Sequence, residues 1–351
     1  MRTTRAAQLV APGRMAFVEA PVEPLHEGDL RVRSRYASIC GSDLHVVNHG
    51  VETDPSLWAP GYPGHEGVGE VVESRAPGFV PGDRVLLVPP VPESRCYAEF
   101  QRVRAGVAVK LEGALPPLRE VLMAQQLGTV LFAARHQLRD VAGRTVAVIG
   151  QGSAGLFWTW TLKRAGAARV IVSDRSPSRL AAAPGFGADV VVDARPGGVR
   201  RGGSAATSVL PGGPRRTPPS DDLTSAVMDL TGGVGADLVV EAVGSKETLL
   251  QSVGLARVRG RLVWFGLPDT NDPVPIDFRL FFRRRLTAVA DWGAQAEPGL
   301  VSFRRALEHV RAGDVDVRPL LSHVLPVEEI AEAFRLADAC EDGVLKVSVE
   351  F

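Results

Sequence analysis

The chain has 351 residues and a mass of 37.4 kDa, more than the roughly 250–300 residues at which a single core stops growing, so two domains are expected. Lys plus Arg and Asp plus Glu both number 40, so bulk charge favours neither nucleic acid nor a membrane as partner. No stretch approaches the ~20 apolar residues that span a bilayer, and the N-terminus lacks a signal-peptide core. Three dispersed cysteines favour a reducing compartment, so a cytoplasmic location is expected.

Apolar runs divide the chain into a loop-rich first part and a more regular second part. Up to about residue 125, short apolar runs alternate with Pro and Gly, which is typical of strands and loops. The spacing from Gln126 to Leu138 then predicts a helix. The clearest strands of the first part are predicted at Leu30–Ser34, Gly67–Val72 and Arg84–Val88.

A strand, a glycine-rich turn and a helix follow in direct succession. The apolar run Thr145–Ile149 enters the turn, and a helix over Ala154–Gly166 and a strand at Val170–Val172 complete a βαβ unit. This rhythm predicts an α/β fold with a doubly wound parallel sheet of the Rossmann type. Further strands of that sheet are predicted at Val190–Val192, Leu238–Val240 and Leu262–Phe265.

The segment 195–222 interrupts this alternation of strand and helix patterns. It is rich in Pro, Gly and Arg and holds too little apolar surface to offset the entropy of ordering it. We expect a mobile loop inserted after the third strand of the sheet. A tolerated surface insertion and a gate near the adenine end of a cofactor are the two interpretations.

The glycine-rich turn predicts a dinucleotide site. Gly150 allows the tight turn, Gly152 lets backbone amides approach a pyrophosphate, and Gly155 allows close packing of helix on sheet. Ser153 and Ala154 complete this cofactor-binding turn.

Two residues at the end of the next strand bear on the choice of cofactor. The carboxylate of Asp174 can accept the ribose hydroxyls of an adenosine and would repel a 2′-phosphate, which favours NAD over NADP. Arg175 beside it would suit that phosphate, so NADP stays the less favoured alternative.

Soft metal ligands precede the cofactor turn. Cys40 and His65 offer a thiolate and an imidazole, and with a carboxylate they would form a compact ligand set for zinc. Glu66, adjacent to His65, is either that carboxylate or a group that supports the ligands.

Together these motifs make the chain resemble the zinc-dependent medium-chain dehydrogenase/reductase family, which includes alcohol, sorbitol and threonine dehydrogenases. The resemblance covers nearly the whole length, and it implies a chaperonin-10 (GroES)-like catalytic domain of residues 1–126 and 293–351 around a Rossmann domain of 127–292, with the active site in the cleft. The motifs are Cys40–His45, Gly61–Gly69, Pro81–Val85, Gly150–Gly155, Gly235–Asp237, Glu241–Gly244 and Lys346.

Two departures from the family pattern concern the metal. Pro89–Cys96 replaces the family's lobe of four cysteines, so one catalytic zinc and no structural zinc are expected. Gln125 or Gln126 stands where the family has a late Cys or Glu, and an amide is a poor zinc ligand. The resemblance therefore implies a sorbitol-dehydrogenase type of site, in which the three ligands above are joined by a water and Gln125 supports them or acts as a weak fourth ligand.

The resemblance also implies roles in catalysis. Ser42 would take the proton of the alcohol and pass it through the cofactor ribose to His45 and solvent. Val243 and Leu267 would line the nicotinamide side of the site.

These expectations predict a zinc- and NAD-dependent oxidoreductase that interconverts a secondary alcohol or polyol and its ketone. Two alternatives stay open: a zinc-independent reductase of C=C bonds from the same superfamily, and a catalytically silent dinucleotide-binding or sensor protein. The apolar run Leu286–Ala290 resembles the family's dimer-edge strand, so a homodimer or homotetramer is expected.

Overall fold

The structure, a computed structural model, describes residues 3–51, 54, 56, 58–195, 215–216, 223–339 and 343–351. The chain forms two compact units, Met1–Phe132 with Gly293–Phe351, and Ala133–Trp292. The strands are β1 (Thr3–Ala11), β2 (Arg14–Pro21), β3 (Asp29–Ser38), β4 (Gly67–Ser74), β5 (Arg84–Leu87), β6 (Phe100–Arg104), β7 (Ala108–Lys110), β8 (Thr145–Ile149), β9 (Arg169–Asp174), β10 (Val190–Asp193), β11 (Arg215–Arg216), β12 (Ala236–Glu241), β13 (Ala256–Trp264), β14 (Thr287–Ala290), β15 (Leu321–Pro326) and β16 (Lys346–Glu350).

Helices connect these strands, and none of those in the described ranges is long and apolar enough to cross a bilayer. The α-helices are α1 (Gly41–Leu44), α2 (Leu118–Val121), α3 (Met123–Ala134), α4 (Ser153–Arg164), α5 (Pro177–Ala182), α6 (Leu223–Leu230), α7 (Lys246–Leu255), α8 (Phe278–Arg284), α9 (Val301–Ala312) and α10 (Ile330–Ala339).

The first unit is built on a mainly antiparallel sheet in the order β15-β16-β3-β4-β5-β7, with β6 also paired to β3. Apolar side chains of the two central strands, among them Leu30, Val32, Val68 and Val71, are fully buried and form its core. The predicted strands at β3, β4 and β5 are confirmed, and β3 extends four residues past the predicted end, from Ser34 to Ser38.

The pairing of β3 with β4 brings two separate chain segments together. Ala37 lies opposite Gly67, so the residues after β3 and those before β4 leave the sheet at the same end. Cys40 follows β3, and His65 and Glu66 directly precede β4. Sheet register therefore positions residues that are distant in sequence.

The second unit is a parallel sheet in the order β11-β10-β9-β8-β12-β13-β14. The order from β10 to β14 is that of a doubly wound dinucleotide-binding sheet, with the first strand β8 next to the point where the order reverses. Ile171, Val239 and Leu262 are fully buried in its core. The predicted Rossmann sheet is confirmed.

Two predictions in this part of the chain need correction. The predicted helix over 126–138 instead runs over Met123–Ala134, and a turn follows it, in which the Gln137 N–H donates to the Ala134 carbonyl three residues earlier. Most of the predicted loop 195–222 lies outside the described residues, but Arg215 and Arg216 form β11 beside β10, so the loop prediction is wrong there. The domain limits 1–126, 127–292 and 293–351 stay a prediction.

Candidate metal centre and cofactor turn

Three potential metal ligands meet in the first unit, where β3 ends and β4 begins. One ligand atom from each of Cys40, His65 and Glu66 lies within 4.8 Å of the other two. His65 and Glu66 are buried and Cys40 is half-buried. Within the described ranges no other group of three such residues is found.

The imidazole of His65 is oriented by neighbours on one side. Its Nδ1 lies 2.9 Å from Asp43 Oδ1 and 3.3 Å from the Pro63 carbonyl oxygen, which leaves Nε2 for a ligand. Burial lowers the pKa of His65, but the Asp43 carboxylate and Cys40 outweigh burial and hold that pKa well above its ordinary value. These negative surroundings favour a positive charge at the imidazole, whether a proton or a metal ion.

The carboxylate of Glu66 is held at one oxygen only. Lys346 Nζ lies 2.7 Å from Oε2 in a pair that is almost fully buried, and Ser38 Oγ donates to the same oxygen. Burial raises the pKa of Glu66, but Lys346 outweighs it and the pKa lies below its ordinary value. The other oxygen, Oε1, is buried and has no hydrogen-bond partner among the described residues.

This arrangement fits a zinc ion by the chemistry of its donors. Thiolate, imidazole and carboxylate are the groups that zinc binds, and catalytic zinc sites use three protein ligands with one position left open. Oε1 of Glu66 is a buried acceptor without a partner in the part of the chain that the structure describes, and a cation would satisfy it.

The two glutamines near this cluster make different contacts. Gln125 Nε2 donates to the His65 carbonyl oxygen at 3.3 Å, and Gln126 Nε2 lies 3.8 Å from Cys40 Sγ. Gln126 Oε1 is also 3.5 Å from Lys346 Nζ. Of the two glutamines, Gln126 is therefore the one that lies near Cys40 Sγ, while Gln125 bonds to the backbone of His65.

The segment Pro89–Cys96 packs against the loop that carries His65. Cys96 N donates to the Gly64 carbonyl at 2.8 Å and Ser94 Oγ to the Pro63 carbonyl at 3.0 Å. Burial raises the pKa of the Cys96 thiol to about 12. The loss of a structural zinc stays a prediction.

The cofactor turn in the second unit is closely packed at two of its three glycines. Gly150 has φ +88°, and a Cβ there would lie 2.6 Å from a methyl of Val243. A Cβ at Gly155 would clash with the Gly150 carbonyl oxygen. At Gly152 the nearest atom to a Cβ would be Arg179 Nη1, 4.0 Å away. An open glycine before the helix that starts at Ser153 fits a turn over which a pyrophosphate can lie.

Asp174 closes this turn from the end of β9. Its Oδ2 accepts the N–H of Gln151 at 2.6 Å, and its Oδ1 accepts the N–H of Ser176 at 2.8 Å. Arg179 Nη1 is 4.0 Å from Oδ2, whereas Arg175 lies at an exposed position on the surface. Arg179, which no sequence motif singled out, is the cation nearest this carboxylate among the described residues.

Val243 and Leu267 belong to two loops that interlock in the second unit. A Cβ at Gly244 would clash with the Leu267 carbonyl oxygen, so these loops approach at backbone distance. The buried Glu241 fixes one of them, since its Oε1 accepts the N–H groups of Val243 at 2.8 Å and Gly244 at 2.9 Å.

Ser42 and His45 lie on one continuous helical segment after Cys40. α1 runs over Gly41–Leu44 and passes into a π-helical turn over His45–His49. Residues three apart on a helix are neighbours on its surface, so Ser42 and His45 share one side. Ser42 Oγ is 3.5 Å from His65 Nε2, the nitrogen left for a ligand.

Sequence reasoning missed several residues of this cluster. Asp43 follows Cys40 by one helical turn, a spacing that could have drawn attention to it. Lys346 was noted only as part of the family pattern, and Tyr97 carried no signal, because its contact with Asp43 joins segments 54 residues apart.

Comparisons with known proteins agree with this chemistry. Residues 26–116 match the alcohol dehydrogenase GroES-like domain, which confirms that part of the predicted fold, and residues 212–308 match the zinc-binding dehydrogenase family. An alcohol dehydrogenase of Cupriavidus necator is 25% identical over 99% of this chain and 98% of its own length. An L-threonine 3-dehydrogenase of Bacillus subtilis is 26% identical over 93% of both chains. The solved alcohol dehydrogenase of Thermus sp. ATN1 superposes with a TM-score of 0.79 at 26% identity, over 99% of each chain.

One family is indicated by the two matched domains, by relatives that align over almost their full length, and by the cluster of Cys40, His65 and Glu66. The chain belongs to the zinc-containing medium-chain alcohol dehydrogenase family, whose members act on CH–OH groups.

Proposed function

We propose that this protein is a zinc- and NAD-dependent dehydrogenase that interconverts a secondary alcohol or polyol and its ketone. The observation that carries the proposal is the buried cluster of Cys40, His65 and Glu66, in which Glu66 Oε1 lacks a hydrogen-bond partner among the described residues. The open glycine turn in the second unit supports a dinucleotide as the hydride carrier.

Cys40, His65 and Glu66 would hold the zinc, which supplies Lewis-acid polarisation of a substrate oxygen when it is bound. Ser42 Oγ, which lies beside the ligand nitrogen of His65, accepts the proton of the substrate hydroxyl as it releases its own hydroxyl proton towards His45. His45, on the same side of the helical segment, carries that proton to solvent. Lys346 keeps Glu66 ionised and fixes its position.

We assign NAD rather than NADP as the cofactor. Asp174, at the end of β9, would face the ribose of the adenosine, and its charge would repel a 2′-phosphate. Replacing Asp174 with Ala should lower kcat/KM for NAD and raise the ratio of NADP to NAD activity, because Arg175 and Arg179 are then no longer opposed by a carboxylate. An unchanged ratio would contradict this assignment.

The experiment that tests the function is a panel of secondary alcohols and polyols followed by NADH absorbance, with and without a zinc chelator. We expect turnover that chelation abolishes and added zinc restores. Turnover on C=C substrates that resists chelation would favour the zinc-independent reductase instead. Cofactor binding without turnover on any alcohol would favour the silent dinucleotide-binding protein.

The proton path has its own test in Ser42→Ala. Turnover should fall sharply while NAD affinity and zinc content stay at the wild-type level, because the hydroxyl serves only the proton. Ser74→Ala, which removes a hydroxyl that bonds to Ala76, is the matched control and should leave turnover unchanged.

A homodimer through β14 is proposed for the assembly. This strand ends the parallel sheet of the described residues, and an unpaired strand edge favours pairing with a second copy. Nearby, Phe278 and Phe282 on α8 are each 70% exposed, as expected for side chains that pack in an interface. Sedimentation should give a mass of two or four chains. A monomer at micromolar concentration would contradict this proposal.

A further inference from the structure

Tyr97 is a fully buried tyrosine whose ring is fixed on more than one side. A Cβ at Gly64 would lie 2.7 Å from its Cγ, so the ring packs directly on the backbone that precedes His65. Phe334 of α10 meets the ring edge to face, with centroids 5.8 Å apart. The Tyr97 N–H also donates to the Gly61 carbonyl at 3.2 Å. The ring therefore has little freedom to move the hydroxyl.

The hydroxyl of Tyr97 reaches the carboxylate that orients His65. Tyr97 Oη lies 2.6 Å from Asp43 Oδ2, a short distance typical of a hydroxyl that donates to an ionised acceptor. The N–H of Cys40 donates to the same oxygen at 3.0 Å. The other oxygen, Oδ1, faces His65 Nδ1 at 2.9 Å. Asp43 is 1% exposed, so water does not readily replace a lost donor.

We propose that Tyr97 is a positioning residue for the metal centre, which acts through Asp43 to hold His65 with Nδ1 protonated and Nε2 directed at the ion. This inference rests on the proposed function, because it assumes that the cluster binds zinc. The partners of a metal-bound histidine commonly govern metal affinity, and their loss costs roughly 10- to 100-fold.

Tyr97→Phe tests the role, because it removes the hydroxyl and keeps the ring that packs on Gly64 and Phe334. The measurement is the zinc dissociation constant of the full chain, by competition with a chromogenic chelator. We expect the variant to bind zinc about tenfold more weakly. Tyr62→Phe is the control, since Tyr62 is equally buried and its hydroxyl is not a donor to Asp43. It should leave zinc affinity unchanged.

A double-mutant cycle with Asp43→Asn distinguishes a purely structural role of Tyr97 from a role that acts through the Asp43 carboxylate. If Tyr97 acts through the Asp43 carboxylate, Tyr97→Phe should weaken zinc binding far less in the Asp43→Asn background than in wild type. The ligand-field spectrum of the cobalt-substituted protein should shift in Tyr97→Phe and stay unchanged in Tyr62→Phe. A role confined to packing would lower the melting temperature of the metal-free protein and leave this spectrum as it is.

Equal zinc affinity in wild type and Tyr97→Phe, or equal loss in both backgrounds, would overturn the inference. Should Tyr97→Phe fail to fold, Asp43→Asn alone decides, because unchanged zinc affinity there would break the link between Tyr97 and His65. Wild-type protein that binds no zinc at all would instead refute the proposed function, so the two failures are distinct.

Discussion

The two carboxylate oxygens of Glu66 have different surroundings. Oε2 receives Lys346 and Ser38, whereas Oε1 has no hydrogen-bond partner within the described ranges. Burial lowers the pKa of Lys346, but Glu66 and Cys40 outweigh it and raise that pKa above its ordinary value, so the ammonium stays charged. One buried cation thus offsets part of the negative charge that the ligands bring together.

Lys346→Met should destabilise the metal-free protein by about 3 kcal/mol, because it leaves the Glu66 carboxylate buried and unpaired. Lys163→Met is the matched control. Lys163 Nζ is also 2.7 Å from its partner Asp189, but those side chains are 39% and 35% exposed. The control should cost less than about 1 kcal/mol. Urea unfolding of both variants measures the difference, and equal losses would contradict the role given to the buried pair.

Glu241 gives a pH-dependent prediction in the second unit. Burial raises the pKa of Glu241, the N–H of Gly244 opposes that shift, and Asp269 adds to it. A carboxyl group whose pKa is higher in the folded protein stabilises the fold at pH values below its unfolded pKa of about 4.3. This stabilisation is lost as the pH rises through the folded pKa. Glu241→Gln does not titrate. Its stability relative to wild type should therefore increase from pH ~4.3 upward and level off above the folded pKa.

Urea unfolding at a series of pH values measures this difference. A flat profile for Glu241→Gln would show that the buried carboxylate does not titrate with folding.

At the scale of elements, two glycines of the cofactor turn, Gly152 and Gly155, differ in how closely other atoms pack around them. A Cβ at Gly155 would meet the backbone oxygen of Gly150, whereas a Cβ at Gly152 would have no neighbour closer than 4.0 Å. Gly152 also has φ −60°, which any residue can adopt. The two glycines therefore serve different purposes, although they belong to one motif.

Gly155→Ala should lower the free energy of unfolding by roughly 1–3 kcal/mol, as expected for overpacking. Gly152→Ala should unfold like wild type and bind NAD at least about tenfold more weakly, a loss of about 1.4 kcal/mol, because the new methyl stands where the pyrophosphate would approach. Melting temperature and NAD titration measure the two effects. If Gly152→Ala binds NAD as tightly as wild type, the placement of the cofactor at this turn is contradicted.

Local patterns predicted most of the elements. The β8–α4–β9 unit follows from one apolar run, three glycines and a helical repeat, and its bounds differ from the prediction by only a few residues. The end of α3 was misplaced, because apolar spacing continues past Ala134 while the backbone already turns. The strand at β11 was missed, because two arginines carry no strand pattern.

The candidate site was only partly predictable, for a physical reason. Cys40, His65 and Glu66 are residue types that bind zinc, so composition and spacing pointed to them. Lys346 and Tyr97 are ordinary residue types, and only sheet register and buried contacts bring them to the cluster. Contacts between distant segments have no local signature in one sequence.

At the scale of the whole molecule, each chemistry is built within one compact unit. The metal cluster belongs to the unit of Met1–Phe132 and Gly293–Phe351, and the cofactor turn belongs to Ala133–Trp292. Metal binding and cofactor binding should therefore be separable by substitution. Cys40→Ala should lose zinc and keep NAD, whereas Gly152→Ala should do the reverse.

The zinc content of the purified chain tests the central claim most directly. Elemental analysis should find one zinc per chain in wild type and in Gly152→Ala, and much less than one in Cys40→Ala. Wild-type protein without stoichiometric zinc that also fails to take it up, or Cys40→Ala protein that keeps its zinc, would contradict the account.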